Sequence, residues 1–224
     1  PISHPADNRS DRMKIVAALT DPADAARAQE QGADLIEIRF DLMEGNPQAL
    51  VEQCRACCTL PVIATFRSVQ EGGRYAGTAD EWFRTIQPIL LQVDFVDMER
   101  RFSQHAGAVR AAGKGVIASF HAGLMPDLYE LFDLERCLRT YGDIVKIVVT
   151  PQDEDDLIEL ISFTHAVKLP VCTGVMGDRF RYARAMLPLF GSELAYCNVG
   201  DQTAAGQYTV EEFVRLMQLL KGGK

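Results

Sequence analysis

Eight short runs of apolar, mostly β-branched residues recur about every 25 residues along the chain, and longer segments of helical periodicity separate them. The runs are KIVAALT (14–20), LIEIRFD (35–41), PVIATFR (61–67), FVDMER (95–100), GVIASFH (115–121), IVKIVVT (144–150), PVCTGVMG (170–177) and LAYCNVG (194–200). Segments such as ADEWFRTIQPILLQ (79–92) instead repeat apolar residues every three or four positions. Strands that alternate with helices indicate βαβ units and therefore a parallel sheet.

The number of predicted strands favours a closed barrel. Eight βα units in about 210 residues match a (β/α)8 TIM barrel at the compact end of its size range. The alternative is a doubly wound open sheet, which usually carries a glycine-rich turn after its first strand. Here that turn reads TDPAD (20–24) and contains no glycine. We therefore expect a single-domain α/β barrel over residues 13–224, preceded by a flexible polar leader over residues 1–12.

Composition and charge limit the classes of partner and ligand that the protein can have. The chain has 224 residues, 47% of them hydrophobic, and a formal net charge of −8, so a general nucleic-acid surface is not expected. An anionic ligand would need positive charge concentrated in a site. No apolar run approaches the roughly 20 residues that a membrane helix needs, and the polar start lacks a signal peptide's apolar region. We expect no membrane or nucleic-acid partner and a cytoplasmic location.

Six cysteines raise the question of a metal site. The group CRACC (54–58) resembles half of a zinc site, but no second Cys or His pair with matching spacing follows it. It lies in a helix-like segment, where cysteine behaves as a small hydrophobic residue. We predict reduced thiols and no bound metal.

Ionisable residues gather near the carboxyl-terminal ends of the predicted strands. They are Glu37, Arg39 and Asp41 in the second run, Arg67 in the third, Asp97 and Glu99 in the fourth, and His121 in the fifth. Each could be a helix cap or a satisfied core ion pair, but packing alone does not require all of them at one end. Barrel active sites lie at that end. The spacing of two places Glu37, Arg39 and Asp41 on one strand face.

Lys146 lies in the middle of the apolar run IVKIVVT. Either the strand is an exposed edge, which lysine protects from pairing, or the amine has a chemical role. Free lysine has a pKa near 10.4, so only about one in 2500 is neutral at pH 7, and burial or nearby arginines lower that pKa. A neutral amine could form a Schiff base with a ketone, and His121 could then remove a proton from the adjacent carbon. Arg39 and Arg67 would attract a small carboxylate or hydroxy acid.

Six ordered motifs carry a resemblance to a known family. They are EIRFD (37–41), TFRSVQEGG (65–73), SFH (119–121), VKIVV (145–149), RAMLPLFGS (184–192) and TAAGQ (203–207). In order and spacing they resemble the type I 3-dehydroquinate dehydratases, from Lys14 to the end of the chain.

That resemblance implies dehydration of 3-dehydroquinate to 3-dehydroshikimate in the shikimate pathway of aromatic amino acid biosynthesis, with no metal or organic cofactor. It implies that Lys146 forms the imine, that His121 is the general acid and base, and that Glu71 is the acidic partner of His121. The substrate-binding residues that it implies are Glu37, Arg39, Arg67, Arg184, Thr203 and Gln207.

The chain departs from the family pattern at the last two motifs. The pattern Ser-Ala-Pro-Gly-Gln reads TAAGQ here, so Thr203 keeps a hydroxyl while Ala205 replaces proline, and we expect a more flexible loop. Ala183 replaces a serine. Three arginines lie in GDRFRYAR (177–184), and Arg184 is chosen by its spacing to FGS. The glycines at 72–73 and the loop 203–207 are expected to close over the site.

The sequence is also compatible with three other functions and with a homodimer. A metal-dependent sugar isomerase or epimerase could use Glu37, Asp97, Glu99 and His121 as ligands. A class I aldolase shares the lysine chemistry. A non-catalytic barrel that binds small anions would leave Lys146 in a salt bridge. The apolar face of FVRLMQLL (213–220) is compatible with a homodimer.

Overall fold

The structure is a computed structural model that describes residues 13–222. Its strands are β1 Lys14–Leu19, β2 Leu35–Arg39, β3 Val62–Thr65, β4 Phe95–Glu99, β5 Gly115–His121, β6 Ile144–Val149, β7 Val171–Val175 and β8 Leu194–Asn198. Its helices are α1 Asp24–Glu30, α2 Pro47–Cys57, α3 Ala79–Ile86, α4 Ala106–Ala111, α5 Leu128–Arg139, α6 Glu154–Ala166, α7 Ala183–Met186 and α8 Val210–Lys221. The leader expected over residues 1–12 lies outside the described residues.

The eight strands are parallel and form a nearly closed ring. Their order is β7-β6-β5-β4-β3-β2-β1-β8, and β1 pairs with both β2 and β8. At the remaining seam, the Glu193 N–H donates to the Val171 carbonyl over 2.8 Å, and the Thr173 N–H donates to the Ser192 hydroxyl over 3.0 Å. The predicted TIM barrel is confirmed, and each predicted run contains one strand.

Local sequence signals explain where several helices begin. Thr78, Asp127 and Thr209 precede α3, α5 and α8, and each side chain accepts the N–H of a glutamate three residues later. That glutamate bonds back to the capping residue, which completes a capping box and satisfies the first free N–H groups of the helix. These helices therefore begin directly after the loops that leave the carboxyl ends of the strands.

Two apolar layers support the polar end of the barrel. The larger layer lies between strands and helices and includes the fully buried Trp82, Phe163 and Ile36. The smaller layer fills the barrel interior, and its members are Val16, Leu35, Ile63, Ile117, Cys172 and Leu194. Since this interior layer excludes water from below, side chains above it are open only toward the carboxyl ends of the strands.

Three aspartates repeat one arrangement at the amino ends of the strands. Asp34, Asp94 and Asp143 each precede an even-numbered strand. Their carboxylates accept the backbone N–H of Ile15, Val62 and Val116 over 2.8, 2.8 and 2.7 Å, respectively. Each acceptor satisfies a donor at the start of the preceding strand and fixes its position beside the next strand.

The cysteines behave as core residues. All six are free thiols, and Cys54, Cys58, Cys172 and Cys197 are buried. Burial, with the neighbouring Cys57 and Cys58, raises the pKa of Cys54 to about 12. Such a thiol stays protonated at neutral pH, which makes it a poor metal ligand.

Within residues 13–222, no helix is both long and apolar enough to cross a bilayer.

Candidate active site

A single cavity at the carboxyl ends of the strands collects the predicted site residues. Its volume is about 150 Å³. All nine predicted residues line it: Glu37, Arg39, Arg67, Glu71, His121, Lys146, Arg184, Thr203 and Gln207. They come from β2, β5 and β6, from the loops after β3 and β8, and from α7. Residues up to 170 positions apart in the chain thus meet because parallel strands present their carboxyl ends at one face.

Lys146 lies in the interior of the ring and is only 4% exposed. Strand β6 pairs with β5 on one side and β7 on the other, so the explanation of Lys146 as an edge residue is wrong. Its Nζ lies 3.0 Å from Asp97 Oδ2 and 3.7 Å from Glu37 Oε1. The amine is therefore buried with two carboxylates that satisfy its ammonium form.

Arg67 is the centre of the ionic network. Its Nη2 donates to Asp97 over 2.7 Å, and its Nη1 lies 2.9 Å from Glu99 and 3.1 Å from Glu71. Burial alone would lower the pKa of Arg67, but these carboxylates, with Asp97 foremost, raise it above its ordinary value. Arg67 is thus a permanently charged residue that orients three acidic side chains around the cavity.

Asp97 joins the lysine to this network. Burial alone would raise the pKa of Asp97, but Arg67 and Lys146 hold it well below its usual range. The Ser119 hydroxyl also donates to Asp97. The carboxylate therefore stays ionised at neutral pH and can hold Lys146 in position.

His121 and Glu71 form a hydrogen-bonded pair. His121 Nδ1 lies 2.9 Å from Glu71 Oε2, and the same oxygen accepts the His121 backbone N–H over 3.1 Å. Because this oxygen also accepts from Arg67, we assign the hydrogen of the pair to Nδ1 and any proton on Glu71 to its other oxygen, Oε1. The other ring nitrogen, Nε2, is then left with a lone pair.

Burial sets the protonation of this pair. It lowers the pKa of His121 well below 6.5, with Arg67 and Lys146 adding to the effect. Burial also raises the pKa of Glu71 to about 8, with Glu99 and Asp97 nearby opposing its charge. At neutral pH His121 is neutral and able to accept a proton, which is the state that a general base requires.

The second strand supplies a wall of the cavity, with one difference from expectation. β2 ends at Arg39, and residues Phe40–Leu42 form a 3-10 turn. Asp41 therefore leaves the strand face and pairs with Arg39 through two hydrogen bonds of 2.9 Å. The expectation that Asp41 shares one strand face with Glu37 and Arg39 is wrong, because strand alternation stops before it.

Arg184 is the arginine of its segment that reaches the cavity. Its Nη2 donates to the Ala205 carbonyl over 3.0 Å, while its buried Nε has no hydrogen-bond partner in the described part of the chain. No ion pair among residues 13–222 includes it. Arg181 instead pairs with Glu212, and Arg179 donates to the Gln152 carbonyl. Arg184 thus offers an uncompensated positive charge to a ligand.

The loop between β8 and α8 is held by Gln207. Its Oε1 accepts the N–H and the hydroxyl of Thr203 over 3.0 and 2.9 Å, and the Ala204 N–H over 3.2 Å. These bonds close the loop into a turn. The greater flexibility expected from Ala205 stays a prediction.

The glycines after β3 are explained by a close approach of the chain to itself. A Cβ on Gly73 would lie 2.1 Å from the Arg67 carbonyl oxygen, so no side chain fits there. Gly72 has a φ of 82°, which favours glycine. Closure of this segment over the cavity also stays a prediction.

The sequence did not predict two of the contacts of Lys146. Asp97 was noted with Glu99, but no sequence signal paired it with the lysine, because their contact joins β4 to β6. Tyr196 lines the cavity from β8, and its ring centroid lies 3.8 Å from Lys146 Nζ. The alternation of LAYCN places Tyr196 on the same face as Leu194, and this signal could have pointed it inward.

Together these features define a barrel enzyme that acts on a small anion. Lysine, a His–Glu pair and an unpaired arginine surround one cavity above an apolar floor. Among residues 13–222, no group of three or more His, Cys, Asp or Glu side chains is arranged to hold a metal ion.

Comparison with known proteins assigns the family. The family model for type I 3-dehydroquinase matches residues 16–224. The chain is 62% identical over 208 residues to the 3-dehydroquinate dehydratase of Methanoregula boonei, covering 93% of this chain and 100% of that protein. It is 38% identical to the 3-dehydroquinate dehydratase of Methanospirillum hungatei, covering 94% and 82%. The chain belongs to the type I 3-dehydroquinase family and is a hydro-lyase.

Solved structures agree on the fold. A 3-dehydroquinate dehydratase from Geobacillus kaustophilus, 23% identical, superposes with a TM-score of 0.86 and covers 93% of this chain and 91% of that one. A 3-dehydroquinate dehydratase from Aquifex aeolicus, 26% identical, gives a TM-score of 0.82 with coverages of 94% and 100%. The comparisons favour the dehydratase over the isomerase, the aldolase and the anion-binding barrel.

Proposed function

We propose that this chain dehydrates 3-dehydroquinate to 3-dehydroshikimate through a Schiff base on Lys146, with His121 as general acid and base. The observation that carries the proposal is the placement of both groups in one cavity on adjacent strands. In the β5–β6 register, Lys146 lies beside Ser119 and His121 beside Val148, two residues further along each strand. His121 therefore lies closer to the carboxyl ends of the strands than Lys146 does, on the side from which substrate enters.

The first step forms the imine. His121 Nε2 takes one proton from the Lys146 ammonium, and the neutral Nζ then attacks the ketone carbon and forms a C–N bond. The carbonyl oxygen receives that proton from His121 and a second one from the nitrogen, and it leaves as water. Asp97 is within 3.0 Å of Nζ and orients the amine before attack. The protonated imine that results withdraws electrons from the adjacent carbon and acidifies its hydrogen.

The second step eliminates water. His121 Nε2 takes the proton beside the imine, and the electron pair moves toward the imine nitrogen as an enamine. When the electrons return, the C–O bond one carbon further on breaks, and His121 gives its proton to the departing hydroxyl. Glu71 keeps the ring oriented throughout because it holds Nδ1. Water then hydrolyses the imine and releases Lys146.

Substrate binding uses the remaining groups. Arg184, which lacks an acidic partner among the described residues, takes the carboxylate. Glu37, Arg39 and Arg67 contact the substrate oxygens from the opposite wall. Thr203 and Gln207 line the same cavity, and closure of their loop and of the loop near Gly72 would exclude water from the imine.

Borohydride trapping tests the proposal. Incubation with 3-dehydroquinate and borohydride should add to Lys146, and to no other residue, the mass of 3-dehydroquinate or 3-dehydroshikimate less one water and plus two hydrogens. Lys146→Met keeps the length and apolar stem of the side chain, and it should give no adduct and no measurable dehydration. An unaltered wild-type mass, or an adduct that persists in Lys146→Met, would disprove the Schiff base.

The proposal extends to assembly and location. Leu219 and Leu220 on α8 are 73% and 49% exposed, which supports a homodimer contact at that helix. The six free thiols support a reducing, cytoplasmic compartment. Light scattering of wild type and of Leu219→Glu tests the first point: a wild-type monomer would contradict it.

A further inference from the structure

Tyr196 reaches the reacting amine across a neighbouring strand. It lies on β8, whereas Lys146 lies on β6, and β7 runs between them. On the face of β7 that points into the ring lie Cys172, the register partner of Lys146, and Gly174, whereas the Thr173 hydroxyl bonds Thr164 of α6 on the other face. Because Cys172 and Gly174 are small, an aromatic ring from β8 can extend over β7 and contact the lysine.

The contact is made by the face of the ring. Lys146 Nζ lies 3.8 Å from the ring centroid, well within the range of roughly 6 Å for a cation–π interaction. The Tyr196 hydroxyl is buried and has no hydrogen-bond partner in the described portion of the chain. A hydroxyl hydrogen bond therefore does not explain why an aromatic residue occupies this position.

The groups around the amine interact with it in different ways. Those that face Lys146 are Glu37 from β2, Arg67 from the loop after β3, Asp97 from β4, His121 from β5, Cys172 from β7 and Tyr196 from β8. Asp97 accepts an N–H of the amine over 3.0 Å, whereas Glu37, at 3.7 Å, acts on the amine through its charge. An ammonium has three such hydrogens, but a protonated imine has one. The aromatic face attracts the positive charge itself and requires no N–H.

We propose that the ring of Tyr196 stabilises the protonated imine on Lys146, whose nitrogen keeps only one of the three hydrogens that the ammonium offers to acceptors such as Asp97. This inference rests on the Schiff-base mechanism proposed above. Tyr196 is thereby a contact residue of the reacting nitrogen, and its ring matters while its hydroxyl does not.

Two variants at this position test the role of the ring. The measured quantity is the fraction of enzyme trapped as reduced adduct by borohydride at saturating 3-dehydroquinate, followed by intact mass from pH 6 to pH 9. Tyr196→Phe keeps the ring and should match wild type within about twofold. Tyr196→Leu removes the ring and should lower the trapped fraction about 3- to 30-fold at constant pH.

A fluorine series separates the charge effect from packing. Phenylalanine carrying one, two or three ring fluorines at position 196 keeps nearly the same shape while the negative potential of the ring face falls. Trapping should decline stepwise with each fluorine. Equal trapping across that series, or in folded Tyr196→Leu, would overturn the inference. The absence of an adduct in wild type would instead refute the underlying Schiff-base mechanism, and Tyr196→Phe would then form no adduct either.

Discussion

Two aspartates on the same strand segment serve opposite ends of the barrel. Asp94, just before β4, has a side chain that is 43% exposed, and it accepts the Val62 backbone N–H and pairs with Arg55. Asp97, three residues later, has a side chain that is 1% exposed, and its partners are the side chains of Arg67, Ser119 and Lys146. Asp94 fixes the backbone, whereas Asp97 holds together the side chains around the reacting amine.

The same spacing recurs on two other strands. Asp34 precedes β2 and Glu37 lies within it, while Asp143 precedes β6 and Lys146 lies within it, again three residues apart. In each pair the first residue binds backbone at the amino end and the second faces the cavity. Stability and chemistry are thus assigned to opposite ends of the same strands, which is the division typical of this architecture.

Substitution of His121 should give the largest effect confined to the cavity end. His121→Asn removes the proton acceptor at Nε2 and should lower kcat by about 10²- to 10⁴-fold. Thermal denaturation should show a fold as stable as wild type, since the ring's partner is another cavity residue. Turnover within tenfold of wild type would assign the proton transfer to a different group.

A matched pair of aspartate variants tests the division of roles directly. Asp97→Asn loses a charged partner of the amine, and kcat should fall about 10- to 100-fold. Asp94→Ala leaves the Val62 N–H unpaired, so the free energy of unfolding should fall by about 1–2 kcal/mol. Its kcat at a temperature where it is folded should stay within about twofold of wild type.

Denaturant titrations and steady-state kinetics on both variants provide the measurements. The comparison fails if the two exchange their effects, or if Asp94→Ala loses as much activity as Asp97→Asn while remaining folded.

The last expected effect is a pH dependence of stability due to Glu71. Its pKa rises on folding from 4.5 to about 8, so between those pH values the folded protein binds more protons than the unfolded one. Its stabilising contribution is complete below pH 4.5 and is lost as the pH rises through about 8. In Glu71→Gln this dependence disappears.

The difference in unfolding free energy between wild type and Glu71→Gln should therefore fall with rising pH, by at most about 1.4 kcal/mol per unit. The lowered pKa of the buried His121 makes stability rise with pH below pH 6.5, which is opposite to the effect of Glu71. His121 is present in both proteins, so its contribution largely cancels in the difference. A difference that is constant from pH 5 to pH 8 would show that Glu71 is ionised throughout.

Much of the fold was accessible from the sequence because its signals are local. Each apolar run contains a strand, and the capping residues Thr78, Asp127 and Thr209 are recognisable from their own segments. Asp41 is an instructive exception. A spacing of two predicts a shared face only while the strand continues, and the turn after Arg39 is stabilised by the ion pair that Arg39 and Asp41 form with each other.

The candidate site could be predicted from the sequence only in part. That His121, Arg67 and Lys146 should meet follows from the rule that parallel strands present their carboxyl ends together. That Arg184 rather than Arg181 faces the cavity depends on the orientation of a four-residue helix and on the pairing of Arg181 with Glu212. Spacing to a later motif led to the same arginine, but it supplies no physical reason for that choice.

The sequence by itself determined the alternation of strands and helices, and with it the barrel and the end at which ionisable groups collect, because periodicity and capping act over a few residues. Only the tertiary structure decided that Lys146 lies between Asp97, Glu37 and the ring of Tyr196. Those contacts join strands 49, 109 and 50 positions apart in the chain, and they depend on the stagger of the closed ring. No pattern confined to one segment encodes that stagger.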